Sequence, residues 1–326
     1  MSIVRTVPIL VPVSVAAARA VRLQARMTVV TNEKMTAQMA GKDGFIAALD
    51  QSGGSTPGAL RQYGIADDAY SGDEEMFRLM HEMRVRIITA PAFTGEKVIG
   101  AILFERTMDG EAQGKPVPHF LWRDRGVVPF LKVDKGLEAE RDGVQMMKPM
   151  PGLDALLDRA VKLDVYGTKM RSVITGASKE GIAAIVAQQF EVARRIAGHG
   201  LMPIIEPEVS IKSPTKAAAE AILNDELTRH LDTMTDGRVM LKLTIPDQAD
   251  LYEALTRHAH VERVVALSGG YKLDDACERL QRNYGMIASF SRALIDDLKK
   301  GMNDAEFDAT LAGAIDKIYQ ASTLKA

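Results

Sequence analysis

Residues 201–208 read Leu-Met-Pro-Ile-Ile-Glu-Pro-Glu, and residues 238–245 read Arg-Val-Met-Leu-Lys-Leu-Thr-Ile. Each is a short apolar run that carries ionisable groups near its C-terminal end, and the residues between them, 213–231, have a helical pattern. Near-continuous apolar runs of this length fit strands covered on both faces, and strand–helix–strand is the unit of a parallel sheet. Outward from this pair, similar runs occur at 45–50, 100–105, 128–134, 165–173, 261–268 and 286–291, which makes eight. Helical patterns are expected at 151–161, 247–258, 273–283 and 292–300. Another begins at Ser178 as N-cap, with Ile182, Ile185, Val186, Phe190, Ala193 and Ile196 on one face, and it stops at Gly198, Gly200 and Pro203. Ser71 with Glu74 and Asn303 with Glu306 have the spacing of a helix cap and its returning carboxylate. Eight strand–helix units without a Gly/Ser- or Pro-rich linker predict α/β architecture: one (β/α)8 TIM barrel rather than two domains.

Composition narrows the function classes. The 326 residues are 46% hydrophobic and 26% charged, which excludes a disordered, fibrous or coiled-coil chain. Forty-one Lys and Arg against 43 Asp and Glu leave no basic field for nucleic acid. Cys277 is the sole cysteine, so neither a disulfide framework nor a cysteine-based zinc cluster can form, and a reducing, cytoplasmic setting is expected. The first acid is Glu33, whereas Arg5, Arg19, Arg22 and Arg26 precede it. The apolar run from Thr6 to Ala18, broken by Pro8 and Pro12, is too short to span a membrane and resembles a poor signal peptide. The preferred reading is an N-terminal extension over 1–26, disordered or not native, ahead of a single barrel domain over 27–326, with Met27 as an alternative start.

The polar residues of the predicted strands gather at the strands' C-terminal ends. They are Asp50; Lys132 and Asp134; Lys169 and Arg171; Glu206 and Glu208; Lys242; Ser268, Gly269 and Gly270; and Ser289 with Arg292. A charge inside an apolar strand costs several kcal/mol unless it is paired or solvated. In this barrel type the C-terminal strand ends surround the mouth that carries active sites. Cationic neighbours and burial lower a lysine's pKa, and a neutral amine can attack a carbonyl. Paired cations suit a phosphorylated substrate, and Ser268-Gly269-Gly270 after strand 7 with Arg292 after strand 8 occupy the usual phosphate-binding position.

These residues resemble those of class I fructose-1,6-bisphosphate aldolases, of the shorter bacterial type more than the animal enzymes. The matching words are AALDQSGGS (47–55), GAILFE (100–105), LKVDKG (131–136), KMR (169–171), MPIIEPE (202–208), VMLKLTIP (239–246), LSGG (267–270) and SFSRAL (289–294). They recur in the family's order over about 250 residues. The resemblance implies that Lys242 forms the Schiff base, that Glu206 is the acid/base that dehydrates the carbinolamine, and that Glu208 is its charge-balancing neighbour. It implies that Asp50 acts at the C4 hydroxyl and that Lys132, Lys169 and Arg171 bind substrate and supply electrostatics. Ser268, Gly269, Ser291 and Arg292 match one phosphate site, and Ser55 lies where the other phosphate is approached. It further implies reversible cleavage of fructose 1,6-bisphosphate in glycolysis and gluconeogenesis. Sugar phosphates are the ligands, with no cofactor, metal, nucleic acid or membrane, and a homo-oligomer is left open. Met170 replaces a tryptophan of the animal enzymes, Leu243-Thr244 replaces Pro-Asn, and Gln51 replaces a glutamate.

The remaining residues read more plainly. His81, His119, His199, His230, His258 and His260 end no predicted strand and are expected on the solvated surface. Cys277 sits on an apolar helical stripe with Leu273 and Leu280 and is expected to pack. Two rival functions are another Schiff-base enzyme, such as a transaldolase or deoxyribose-phosphate aldolase, and a non-catalytic sugar-phosphate-binding barrel. The Glu206-Pro207-Glu208 word speaks against the first, and the presence of lysine, both glutamates and Asp50 together against the second.

Overall fold

A computed structural model describes residues 32–326; the predicted extension over 1–26 and the alternative start at Met27 lie outside them. Eight parallel strands follow one another in the sheet in chain order. They are β1 (Phe45–Leu49), β2 (Val98–Leu103), β3 (Val128–Lys132), β4 (Gly167–Ile174), β5 (Met202–Val209), β6 (Val239–Thr244), β7 (Val261–Leu267) and β8 (Met286–Ala288). The sheet closes on itself where the Ala48 amide of β1 donates to the Phe290 carbonyl just past β8, at 3.0 Å. All eight predicted strands are present, and the fold is the (β/α)8 barrel. Among the described residues no helix is long and apolar enough to cross a membrane.

The strand period of two sorts each strand's side chains between the barrel interior and the layer beneath the helices. Ile46, Ala48, Val128, Phe130, Ile204, Met240, Val265 and Ile287 pack together inside the barrel. Their chain neighbours, among them Ala47, Leu49, Leu131, Ile205, Leu241 and Leu243, pack outward against the helices. Met170, which takes the place of a tryptophan, belongs to that outer layer, as does Leu243. Met170 and Leu243 therefore lie away from the mouth. At the start of β4 the packing is close: a Cβ on Gly167 would lie 2.3 Å from the Met202 carbonyl oxygen and 2.9 Å from the Phe130 ring. No larger residue fits there.

Helix boundaries show where local pattern yields to tertiary contacts. Ser178 caps the helix Lys179–Gly198 by accepting from Gly181 N at 3.1 Å, and Asn303 and Glu306 form a full capping box on Asp304–Thr323. The Ser71–Glu74 pair does not form: Gly72 adopts a left-handed φ of 74°, and Glu75 instead reaches back to the Ser71 amide at 2.8 Å. The predicted helix over 247–258 shrinks to Glu253–Thr256. Asp250 there turns left-handed, with φ of 61°, to exchange hydrogen bonds with Asn283 and with the Tyr284 amide. The helix over 292–300 shrinks to Arg292–Ile295, because the following turn carries the Lys300 amide to the Tyr63 carbonyl at 2.8 Å.

A lysine–carboxylate chain at the barrel mouth

The inward-facing positions of the strands change character from one end of the barrel to the other. Along β5 the inward series is Ile204, Glu206, Glu208; along β6 it is Met240, Lys242; along β3 it is Phe130, Lys132 and then Asp134. Pairing places Lys132 beside Lys169, and Arg171 beside Glu206. Each of these strands thus delivers one or two ionisable groups to a common level at its C-terminal end. There they line a cavity of about 1050 Å³. Asp50, Lys132, Lys169, Arg171, Glu206, Glu208, Lys242, Ser268, Gly269, Ser291, Arg292 and Ser55 all reach it, so the structure brings together every site residue expected from the sequence. β2, the strand without a predicted mouth residue, adds Phe104 and Glu105 to the wall.

Four buried side chains alternate in sign. Lys242 Nζ lies 3.0 Å from Glu206 Oε1; Glu206 Oε2 lies 2.9 Å from Lys169 Nζ; and Lys169 Nζ lies 2.6 Å from Asp50 Oδ2. All four are less than a tenth exposed. Burial resists the charge of Asp50, but Lys169, Lys242 and Lys132 outweigh it and hold the carboxyl well below the usual carboxylate range. Glu206 is likewise depressed by Lys169 and Lys242 against the cost of burial. Lys169, facing Asp50, Glu206 and Asp134, is raised despite its burial and stays a cation. Burial and the neighbouring Lys169 lower Lys132, against the pull of Asp134, which it contacts at 2.5 Å. Arg171 donates through Nε to Glu208, which together with Glu206 raises it.

The anion-receptive side of the mouth lies across β7 and β8. Gly269 and Gly270 have φ of 61° and 120°, and a Cβ on Gly270 would lie 3.3 Å from Arg292 Nη2, so the guanidinium lies close over the glycine backbone. Ser268 and Ser291 flank this pair. On the far side, the exposed Ser55 accepts from the Ser52 amide at 3.1 Å and donates to the Ser52 carbonyl at 3.0 Å. Among the described residues no group of three or more His, Cys, Asp and Glu side chains is arranged to hold a metal ion. The six histidines lie away from the cavity lining but are half-buried rather than fully solvated. His230, for example, stacks on Phe190 at 4.9 Å, and His199 Nδ1 contacts Asp158 at 2.9 Å. Cys277 packs against the core with its thiol pushed up to about 11 by burial.

Two supporting residues were not picked out from the sequence. Gln189 is fully buried in the helix Lys179–Gly198, and its Oε1 accepts from the Glu206 amide at 2.8 Å, fixing the strand segment that carries that carboxylate. Arg84 is 1% exposed in the helix Gly72–Thr89 and donates to the carbonyl of Gln51, next to Asp50. Both lie on the apolar stripes of their helices, with Ile182, Ile185 and Val186 in one and Met76, Met80, Met83 and Ile87 in the other. A lone polar residue on such a stripe was the signal available for each.

A (β/α)8 barrel whose mouth holds a lysine against a buried carboxylate, beside a glycine–arginine anion site, is the frame of an imine-forming lyase. Residues 33–248 match the family model described as glycolytic fructose-bisphosphate aldolase class-I. Curated class 1 fructose-bisphosphate aldolases of Synechocystis sp. and Porphyromonas gingivalis are each 55% identical to the chain. The first aligns over 91% of this chain and 99% of its own, the second over 89% and 99%. Among solved structures, a Plasmodium falciparum fructose-bisphosphate aldolase in complex with TRAP and a small-molecule inhibitor superposes with a TM-score of 0.69 at 20% identity, over 91% of this chain and 96% of its own. The chain belongs to the class I fructose-bisphosphate aldolase family.

Proposed function

We propose that Lys242 forms the imine, Glu206 carries its protons and Asp50 starts carbon–carbon cleavage in the reaction of this family. That reaction is the reversible splitting of fructose 1,6-bisphosphate into dihydroxyacetone phosphate and glyceraldehyde 3-phosphate, a step of glycolysis and gluconeogenesis. The observation that carries the assignment is the 3.0 Å approach of Lys242 Nζ to Glu206 Oε1 inside the cavity.

The chemistry follows from the arrangement. Lys242 must lose a proton to attack the ketone at C2, and Glu206 is the adjacent acceptor. Returned to the carbinolamine hydroxyl, that proton lets water leave and an iminium form. Asp50, kept ionised by its lysines, takes the C4 hydroxyl proton. The C3–C4 bond then breaks, its electron pair moves into the iminium to give an enamine, and the aldehyde product departs. Protonation at C3 and hydrolysis release the ketone and free Lys242. Lys169 stays cationic between the two carboxylates and stabilises their negative charge where water is excluded. Glu208 balances Arg171, while Lys132 and Arg171 hold the sugar. Ser268, Gly269, Ser291 and Arg292 take one phosphate and Ser55 the other.

Residues 27–326 would be the single domain for this reaction, with a reducing cytoplasm as its setting; the lone cysteine supports that reading. Steady-state cleavage of fructose 1,6-bisphosphate tests the assignment. The rate should be unchanged by EDTA and should fall roughly 10⁴-fold or more in Lys242→Met, the scale of removing a covalent nucleophile. Activity retained in Lys242→Met, or abolished by EDTA, would contradict it.

A further inference from the structure

A buried guanidinium sits behind the mouth with no counter-ion in contact. Arg84 is 1% exposed, and among the described residues no carboxylate comes within ion-pair distance of it, Asp50 acting on it only from beyond contact. Its Nη1 donates to Thr107 Oγ1 at 2.8 Å, and its Nη2 donates to the Gln51 carbonyl at 2.5 Å and approaches Gln51 Oε1 at 3.3 Å. The Phe104 ring centroid lies 5.7 Å from its guanidinium carbon. Burying a cation this way is costly, and neutral oxygens compensate it less than a carboxylate would. The helix Gly72–Thr89 offers no local reason for it, since its neighbours on that face are Met80, Met83, Ile87 and Ile88.

The hydrogen-bond inventory gives the arrangement a direction. A guanidinium has five N–H donors and no acceptor, so the Gln51 side-chain amide must turn its oxygen toward Arg84. Its NH2 group then faces the other way, where Nε2 donates to Ser291 Oγ at 2.7 Å. Ser291 Oγ thereby serves as an acceptor on its protein side. Its single hydroxyl proton has no acceptor among the described residues and is available to the cavity that Ser291 lines beside Arg292. We propose that Arg84 is a positioning residue: acting through Gln51, it sets the polarity of the Ser291 hydroxyl so that it donates to an anionic phosphate bound at the β8 side of the mouth. This rests on the reading of Ser291 as a phosphate ligand. It also gives Gln51, which stands where the animal enzymes have a glutamate, a specific role as an amide with one accepting and one donating face.

Gln51→Glu isolates the effect. A carboxylate there ion-pairs with Arg84, so the buried cation remains satisfied, but it has no hydrogen to give. It accepts the Ser291 proton instead and turns that hydroxyl away from the phosphate. The Michaelis constant for fructose 1,6-bisphosphate should rise about tenfold, the scale of one lost charge-assisted hydrogen bond, while kcat changes by less than about threefold. Ser291→Ala should raise KM to a similar degree, and the Gln51→Glu/Ser291→Ala double variant should be no worse than the larger single effect. Arg84→Met, where circular dichroism shows it folded, should raise KM in the same sense but by less, because the amide is then held only by the Nε2 donation to the Ala48 carbonyl at 3.4 Å beside its bond to Ser291; the Gln51→Glu arm decides in either case. Borohydride trapping of each variant with the same substrate separates the two levels. An unchanged KM in Gln51→Glu, or effects of the two substitutions that multiply, with the adduct still on Lys242, would overturn the positioning role and leave the lysine chemistry standing. An adduct elsewhere in the unsubstituted protein would overturn the proposed function on which the inference rests.

Discussion

The two ends of the barrel are built from the same eight strands and meet opposite fates. At the N-terminal end the inward side chains are apolar, and the helix over residues 32–41 covers them with Met35 and Met39, both nearly or fully buried. That helix is tied down by polar groups at its edge: Gln38 Nε2 donates to the Ile99 and Gly126 carbonyls, each at 2.8 Å, and Arg263 Nε donates to the Met39 carbonyl, also at 2.8 Å. At the C-terminal end, two residues further along each strand, the inward groups are Lys169, Glu206, Lys242 and Asp50, and the end stays open as the cavity. The apolar end stabilises the fold by removing hydrocarbon from water. The charged end needs near-cancelling neighbours to exist at all, and that cancellation gives it reactive groups of controlled charge. Stability and chemistry are thus separated by about two residues of strand.

Substitutions at either end test this division. Glu206→Gln at the mouth should lower kcat for fructose 1,6-bisphosphate cleavage by roughly 10²- to 10⁴-fold, the range for a lost proton carrier; a residual rate near that of the unsubstituted protein would take the proton-carrying role from Glu206. Lys169→Met should lower kcat about 10²-fold and also change its pH dependence. Asp50 and Glu206 are depressed mainly by Lys169, so removing it lets burial raise both, and the acid limb of the kcat profile should move to higher pH. An acid limb left in place would mean that Lys169 does not control those carboxylates. The unsubstituted protein has the opposite linkage. Stability from the depressed Asp50 is fully present above its unfolded value near 3.9 and is lost only as pH falls through its lower folded value. Acid titration followed by circular dichroism should therefore show no loss from this group at pH 5. At the other end, Met39→Ala should leave kcat and KM within about twofold while costing about 2–5 kcal/mol in urea unfolding, as for other fully buried large-to-small changes. A large kcat effect there would break the division.

How much of this was legible in the sequence follows from the range of the interactions. Strand period and the placement of charge are local, so Met240–Lys242 and Ile204–Glu206–Glu208 already announce an inward face that turns from apolar to ionic. The direction of each ion pair was not legible. Lys169 joins Asp50 and Glu206 only because barrel closure brings β1, β4 and β5 to one level. Helices stopped short where a group distant in the chain offered a better partner than the next turn, as the Asn283 side chain does at Asp250 and the Tyr63 carbonyl at Lys300. Arg84 shows in the sequence only as a lone charge on an apolar stripe, and its partner Gln51, 33 positions earlier, is set by folding alone. The family resemblance supplied roles to residues whose chemistry the charge pattern had only grouped.

The central claim is that Lys242 carries the covalent chemistry of this mouth, and borohydride trapping tests it most directly. Protein treated with fructose 1,6-bisphosphate and borohydride should lose activity, and peptide mass spectrometry should place one reduced sugar-phosphate adduct on Lys242, with none on Lys169 or Lys132. An adduct on either of those lysines, or cleavage that proceeds untouched by borohydride, would contradict the account.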